Sequence, residues 1–336
     1  MLSYGPVSTS FEFDTPGKRA GFLDLSHSSN ELAFSAVRVP VGVVHGGDGP
    51  TVLMSAGSHG DEYEGQVILH RLMQGLDPAQ VRGRIIFLPA LNAPAVGARA
   101  RVSPLDQGNM NRSFPGDAAS GPTGAIAAFV TEHLISRADL VLDFHSGGTA
   151  TQYVDCGFLC VGPDAGMNAA NLEIVRIFGA PFTMVCPIDG TGGDFDTAAH
   201  LRQTPFLSCE LGGMGRFSPT SFQVGWEATL RVLAHMRLIT GQSPAPETRF
   251  IDIGVGSAHA TAAHHGLAQL HVRPGDVVAQ GDPVATLFDT HNFGETREVL
   301  LAPTGGVIAV CRRNPMVAPG GHLCLIAPEI SGNEIT

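Results

Sequence analysis

The residues best suited to chemistry fall in a few short stretches. Ser58-His59-Gly60-Asp61-Glu62 sets an imidazole and a carboxylate three positions apart, and Asp143-Phe144-His145-Ser146-Gly147-Gly148 offers a second imidazole. At a strand-to-helix turn, positions i and i+3 come to one side of the first helical turn. Two neutral imidazoles and an ionised carboxylate make a set that holds a catalytic zinc ion and leaves one coordination position open to water. Cobalt, manganese or iron would also accept these donors. An H-x-x-E spacing also occurs by chance, and a histidine closing a strand often only hydrogen-bonds, so the spacing by itself decides nothing.

Further polar groups stand at similar places. Asn109-Met110-Asn111-Arg112-Ser113-Phe114-Pro115-Gly116 forms a polar loop in which Arg112 is a permanent cation with a fixed fork of donors. That fork suits an oxyanion or a carboxylate, or equally a surface ion pair. Ser208-Cys209-Glu210-Leu211-Gly212-Gly213 closes an apolar run, and Cys209 and Glu210 must point to opposite faces of it. A general base beside a metal site gives Glu210 a use there. Asp143 shares a strand face with His145, where it either orients a metal-bound imidazole or packs against a backbone partner. The segment Asp189-Gly190-Thr191-Gly192-Gly193-Asp194-Phe195-Asp196 reads as acidic contacts for a cationic substrate group or as a solvated loop.

These groups need elements to position them. Apolar runs predict strands over 51–56, 84–89, 139–144 and 205–210, and helical spacing predicts helices over 62–74, 125–137, 172–178 and 226–238. Near-continuous apolar strands alternating with helices predict an α/β fold: a mixed, mostly parallel sheet with helices on both faces. Ligands of such folds gather at the carboxyl ends of the strands. His59 with Glu62, Arg112, His145 and Glu210 each follow a predicted strand. The first fifty residues show only short extended pieces. A linker near 240–246 divides a catalytic domain, 1–245, from a small all-β domain, 250–330, marked by turns such as Arg273-Pro274-Gly275-Asp276 and Gln280-Gly281-Asp282-Pro283.

Composition removes other classes. With 43% hydrophobic and 15% charged residues, the chain can bury a large core and is not disordered. At 336 residues it suits one large and one small domain. A net charge of −11 argues against nucleic acid or an anionic membrane as partner. No apolar run would span a bilayer and no signal-peptide pattern opens the chain, so a cytoplasmic protein is expected. The six cysteines read as buried thiols, Cys156 and Cys160 included, since no second pair stands at zinc-finger spacing. Lys18 is the one lysine and Arg19 follows it, which excludes a phosphate-binding P-loop and argues against Schiff-base chemistry. No G-x-S-x-G occurs, so a serine nucleophile elbow is absent.

Taken together, Gly57-x-His59-Gly60-x-Glu62, Asn111-Arg112, Asp143-x-His145 and Glu210 resemble the succinylglutamate desuccinylase/aspartoacylase family, within the zinc carboxypeptidase-like group. The resemblance covers about residues 45–330, and the Asn-Arg-Ser-Phe-Pro-Gly and Asp-Phe-His-Ser-Gly-Gly wording is similar to the branch with N-α-acetyl-diaminobutyrate deacetylases. It implies one zinc ion per chain on His59, Glu62 and His145, with Glu210 activating water. It implies further that Arg112 polarises the scissile carbonyl, that Arg101 binds the substrate carboxylate, and that Asn111 and Arg112 contact an N-acyl amino acid. The spacing from Arg101 to Arg112 departs from the family pattern. The carboxypeptidase tyrosine has no counterpart among Tyr4, Tyr63 and Tyr153, which favours a deacylase over a peptidase.

The C-terminal stretch resembles a biotinyl/lipoyl-type fold. No lysine follows Lys18, so it cannot be acylated as a carrier is. Shaping the active-site mouth or joining copies of a homo-oligomer remain as its roles. His259, His264 and His265 suggest a second metal or simply exposed loop histidines. Rival functions are a deacylase of another range, such as N-succinylglutamate or N-acetylaspartate, and a zinc-containing binding protein without catalysis, which would have no need of Glu210.

Overall fold

The computed structural model describes residues 1–28, 33–188, 192–241, 243–333 and 335. The N-terminal part is more regular than the short pieces expected. β1 (Leu2–Tyr4), β2 (Val7–Thr9), β3 (Gly17–His27) and β4 (Ser35–His45) pair antiparallel in succession, and β3 and β4 stay in register along their whole length. Val37, Val39, Val41 and Val43 fall on one buried face of β4, the two-residue period of a half-covered strand.

From Thr51 strands and helices alternate as β5 (Thr51–Ala56), α1 (Glu64–Gly75), β6 (Arg84–Leu88), α2 (Ala93–Ala98), α3 (Gly121–His133), β7 (Leu140–His145), β8 (Thr151–Tyr153), β9 (Cys156–Val161), α4 (Ala165–Phe178), β10 (Phe182–Pro187), α5 (Phe195–Leu201), β11 (Phe206–Glu210) and α6 (Pro219–His235). β5 and β7 are buried at every position, hence their unbroken apolar runs. Three helices begin earlier than their apolar spacing suggests, α3 with Pro122 in its first turn, α4 behind the Asp164 cap and α6 with Pro219 behind the Ser218 cap. Proline is pre-set for a first helical turn, and the Ser218 hydroxyl satisfies the Ser221 N–H. Ile68, Leu72, Val175, Phe178 and Val232 from α1, α4 and α6 cover one sheet face, and Ile126, Phe129, Phe195 and Ala198 from α3 and α5 cover the other.

The remaining strands are β12 (Arg249–Asp252), β13 (Ala258–Thr261), β14 (Gly266–Leu270), β15 (Val277–Val278), β16 (Pro283–Phe288), β17 (Thr296–Leu301), β18 (Gly306–Arg312), β19 (Met316–Val317), β20 (His322–Ala327) and β21 (Glu329–Ile330). Most of them form two small antiparallel sheets, β13-β20-β18-β15 and β17-β16-β14-β19, closed around Val284, Leu287, Ile308 and Ile326. β12 and β21 instead extend the large sheet beyond β10. β8 goes the other way and pairs with β18, Tyr153 opposite Val310.

The large sheet runs β1-β2-β3-β4-β6-β5-β7-β11-β9-β10-β12-β21. It is parallel from β6 to β11 and from β9 to β12, but antiparallel at the β11–β9 junction and at both margins. "Mostly parallel" therefore describes its centre alone. The N-terminal hairpins join through short connections, which only antiparallel neighbours permit. The carboxyl ends of four consecutive strands, β6, β5, β7 and β11, thus lie side by side, and the chemistry-bearing residues stand there. No helix among the described residues is long and apolar enough to cross a membrane.

Candidate metal centre and catalytic cavity

The first ligand loop is held from two sides. A Cβ on Gly60 would stand 1.9 Å from the Ala95 carbonyl oxygen, so only glycine lets the loop back onto α2. The Gly60 N–H donates to the Ala100 carbonyl at 2.8 Å, which draws the neighbouring Arg101 to the loop. Asp61, 4% exposed, accepts the Thr149 N–H at 2.7 Å and the Thr149 hydroxyl at 2.8 Å, tying this loop to the one after β7.

His59, Glu62 and His145 are buried together, their ligand atoms all within 4.8 Å of one another. His59 Nδ1 lies 2.7 Å from Glu62 Oε1, and His145 Nδ1 lies 3.0 Å from Glu62 Oε2. The far side of each ring is also engaged. His59 Nε2 faces Asn109 Oδ1 at 3.1 Å, an oxygen that also accepts the Asn111 N–H, and His145 Nε2 faces Asp143 Oδ2 at 2.7 Å. Acceptors on that side place each proton on Nε2 and leave a lone pair on Nδ1. With the rings neutral, two lone pairs and a carboxylate converge, and positive charge, from a metal ion or from protons on Nδ1, relieves their repulsion.

The electrostatics agree. Burial works against charge on Glu62, but the two rings outweigh it and hold the carboxyl down at about 2. Burial likewise opposes charge on His145, yet the Asp143 and Glu62 carboxylates overcome it and push its pKa well up. Positive charge is demanded here, and two imidazoles with one carboxylate match a zinc site supported by outer hydrogen bonds.

Glu210 stands beside His145 in parallel register, one strand spacing of about 4.8 Å away. Cys209 packs into the core while Glu210 lines the cavity, as strand alternation requires. Glu210 Oε2 is buried with no hydrogen-bond partner among the described residues. Burial, then the nearby Glu62 carboxylate, pushes its pKa up to about 8, against the pull of His145 and Arg101.

The arginines take different stations. Arg101 Nη1 stands 3.5 Å from His59 Nδ1 and 3.7 Å from Glu62 Oε1, at the ligands themselves. Arg112 pairs with Asp194 and donates to the Asn111 carbonyl. The Asn111 side-chain oxygen accepts the Phe195 N–H at 2.9 Å and so anchors the start of α5.

His59, Arg101, Asn111, Arg112, His145 and Glu210 border one cavity of about 230 Å³, together with Tyr153, Phe158, Cys160, Cys186, Asp196 and Phe206 among others. Tyr153 borders the cavity, although no motif placed any of the three tyrosines there. Its short strand is carried there by pairing with β18, a contact between distant segments that no local pattern signals. The Glu210 charge, then burial, pushes the Tyr153 pKa up, so its phenol stays protonated. Asn109 was visible only as one polar loop residue, although it orients His59. Of the acidic segment, Asp194 and Asp196 border the cavity, while Asp189, Gly190 and Thr191 lie outside the described residues.

The other sequence candidates separate from the site. Cys156, Cys209, Cys311 and Cys324 are buried free thiols. His259 is exposed and stacks on His322 with ring centroids 4.1 Å apart, and His264 and His265 are exposed. Among the described residues, the one cluster of three metal-binding side chains is His59, Glu62 and His145.

The sheet, the ligand loop and the late glutamate define a class. The succinylglutamate desuccinylase/aspartoacylase catalytic-domain family matches residues 48–236, and the chain belongs to that family. It is 36% identical over 327 residues to the N-α-acetyl-L-2,4-diaminobutyric acid deacetylase of Halomonas elongata, covering 97% of this chain and 96% of that protein. The product-bound structure of the ectoine utilization protein EutE (DoeB) from Ruegeria pomeroyi superposes with a TM-score of 0.93 at 31% identity, covering 97% of this chain and 100% of that one. A succinylglutamate desuccinylase structure from Silicibacter sp. TM1040 also has a TM-score of 0.93, at 30% identity, over 98% of this chain and 100% of that one.

Proposed function

We propose that this protein hydrolyses the amide bond of an N-acyl amino acid, releasing a carboxylate and a free amine, with N-α-acetyl-2,4-diaminobutyrate as the substrate. The observation that carries the reading is that the His59–Glu62–His145 donors meet Arg101, and that His59, His145, Arg101 and Glu210 border one cavity. The named substrate rests on the 36% identity, along nearly the whole chain, to a deacetylase of that compound.

His59, Glu62 and His145 would hold one zinc ion. Zinc, when bound, supplies a Lewis acid that lowers the pKa of a coordinated water and polarises a carbonyl. Glu210 takes a proton from the attacking water, whose oxygen bonds to the acyl carbon. It then delivers that proton to the amine nitrogen as the C–N bond breaks. Arg101, placed at the ligands, donates to the acyl oxygen as negative charge develops on it. Arg112 and Asn111, farther along the wall, suit the substrate carboxylate. This exchanges the two arginine roles that the family resemblance implies, and the 3.7 Å approach of Arg101 to Glu62 supports the exchange.

We take 1–245 as the catalytic unit and 250–330 as a biotinyl/lipoyl-type module that shapes the cavity wall through β8. Zinc-loaded wild type should release amine from N-acetyl-2,4-diaminobutyrate, and Glu210→Gln should lower the rate by roughly 100-fold or more with zinc content unaltered. Unchanged turnover in the variant would sink the general-base role. No turnover of any N-acyl amino acid by zinc-loaded wild type would sink the deacylase.

A further inference from the structure

We propose that Asp196 is the specificity-determining residue of this cavity, and that it takes the terminal ammonium of an aminoalkyl side chain on the substrate. The inference rests on the deacylase reading and adds the charge of the side chain that is accepted.

The cavity has a direction. Glu210, Ser208 and Phe206 alternate along one face of β11 and lead away from the ligands. β9 runs antiparallel beside them, Cys156 opposite Glu210 and Phe158 opposite Ser208, so Cys160 lies at the far end. Cys186 of β10 is its neighbour there, the two sulfurs 3.4 Å apart, and the first turn of α5 closes the end with Asp196. Arg101 and the ligands thus stand at one end and a carboxylate at the other.

Apart from Glu210, which stands beside the ligands, the lining carboxylates differ in what already answers them. Asp143 is engaged by Ser55 and His145, and Asp194 by Arg112. Asp196 has neutral partners, the Thr197 N–H at 2.8 Å and the Cys160 thiol. Among the described residues, no basic side chain forms an ion pair with it. A carboxylate has four lone-pair sites, so two neutral donors leave it able to receive an ammonium. Phe158, Phe206 and the two thiols surround it with the apolar surface that methylenes prefer. A side-chain carboxylate placed there would meet a like charge in poorly solvating surroundings, which rejects acidic substrates.

The group is also held firmly. Phe195, next to Asp196, is fully buried and stacks on Phe114 with ring centroids 4.3 Å apart. Its N–H is fixed by Asn111. A charge presented from so anchored a helix start is positioned before substrate arrives.

The test compares kcat/KM of the zinc-loaded protein for N-acetyl-2,4-diaminobutyrate, the neutral N-acetyl-2-aminopentanoate and the acidic N-acetylaspartate. We expect the cationic substrate to lead the neutral one by roughly 100-fold in wild type, Asp196→Asn to cut that ratio to a few-fold, and Asp196→Glu to keep most of it. Equal use of all three by wild type, or an unchanged ratio in Asp196→Asn, overturns the assignment. Calorimetric binding of free 2,4-diaminobutyrate against 2-aminopentanoate reads the same subsite without turnover. Wild type that binds both alike overturns the assignment, and discrimination that Asp196→Asn erases supports it. Hydrolysis without cationic preference refutes Asp196 and leaves the deacylase standing. Discriminating binding without hydrolysis does the reverse.

Discussion

Asp143 Oδ2 stands 2.7 Å from Nε2 of His145, two residues along the same buried strand, while its other oxygen takes the Ser55 hydroxyl from β5. The pair keeps Nδ1 of the ring turned toward Glu62. Without the carboxylate the ring loses both its tautomer and its orientation. Asp143→Asn should therefore weaken zinc binding by about 10- to 100-fold, read by competition with a chromophoric chelator. Unaltered affinity would mean that packing alone holds the ring.

The two arginines should separate in steady-state kinetics. Arg101 lies at the ligands, so Arg101→Ala should lower kcat by about 100- to 1000-fold with a smaller change in KM. Arg112 is paired with Asp194 in the cavity wall, so Arg112→Ala should act chiefly on KM. The opposite pattern would return the carbonyl-polarising role to Arg112.

Glu64 opens α1 with 1% exposure; Oε1 accepts the Ser218 N–H at 2.7 Å, and Oε2 has no partner among the described residues. Burial pushes its pKa from 4.5 up to about 7, against the hydrogen bonds it accepts. The folded value lies above the unfolded one, so its stability contribution is whole below about pH 4.5 and is lost as pH rises through 7. Glu64→Gln removes that loss. Relative to wild type, the variant should gain stability between pH 4.5 and 7 and hold the gain above, at most about 3 kcal/mol. Denaturant titrations of both proteins at pH 4 and pH 8 measure it, and parallel profiles would show that Glu64 ionises without cost.

The ligands are legible in sequence because strand ends are. β5 and β7 are buried throughout, so their apolar runs stop where the chain turns polar, and His59, Glu62 and His145 stand at those stops. Glu210 is legible for the same reason, its Cys209 neighbour turning inward. The place of Arg101 is not legible, since a hydrogen bond between loops, Gly60 to Ala100, sets it. Tyr153 escapes because β8 has only three residues and its partner lies far along the chain. The N-terminal hairpin shows only as short extended pieces because β3 mixes polar and apolar residues and its outer face is half exposed, so the apolar run of β4 has no matching partner in the pattern. Local pattern reports the ends of buried elements; it does not report which loops will meet.

The pairing of β8 with β18 has a consequence for the order in which the molecule is made. A chain emerging from the ribosome would present all three ligands and Glu210 with the N-terminal two-thirds, yet Tyr153 would still lack the strand that seats it. Such pairings between distant segments are slow to form. The wall beside Glu210 thus waits on β18, a strand made long after the residues it helps to enclose.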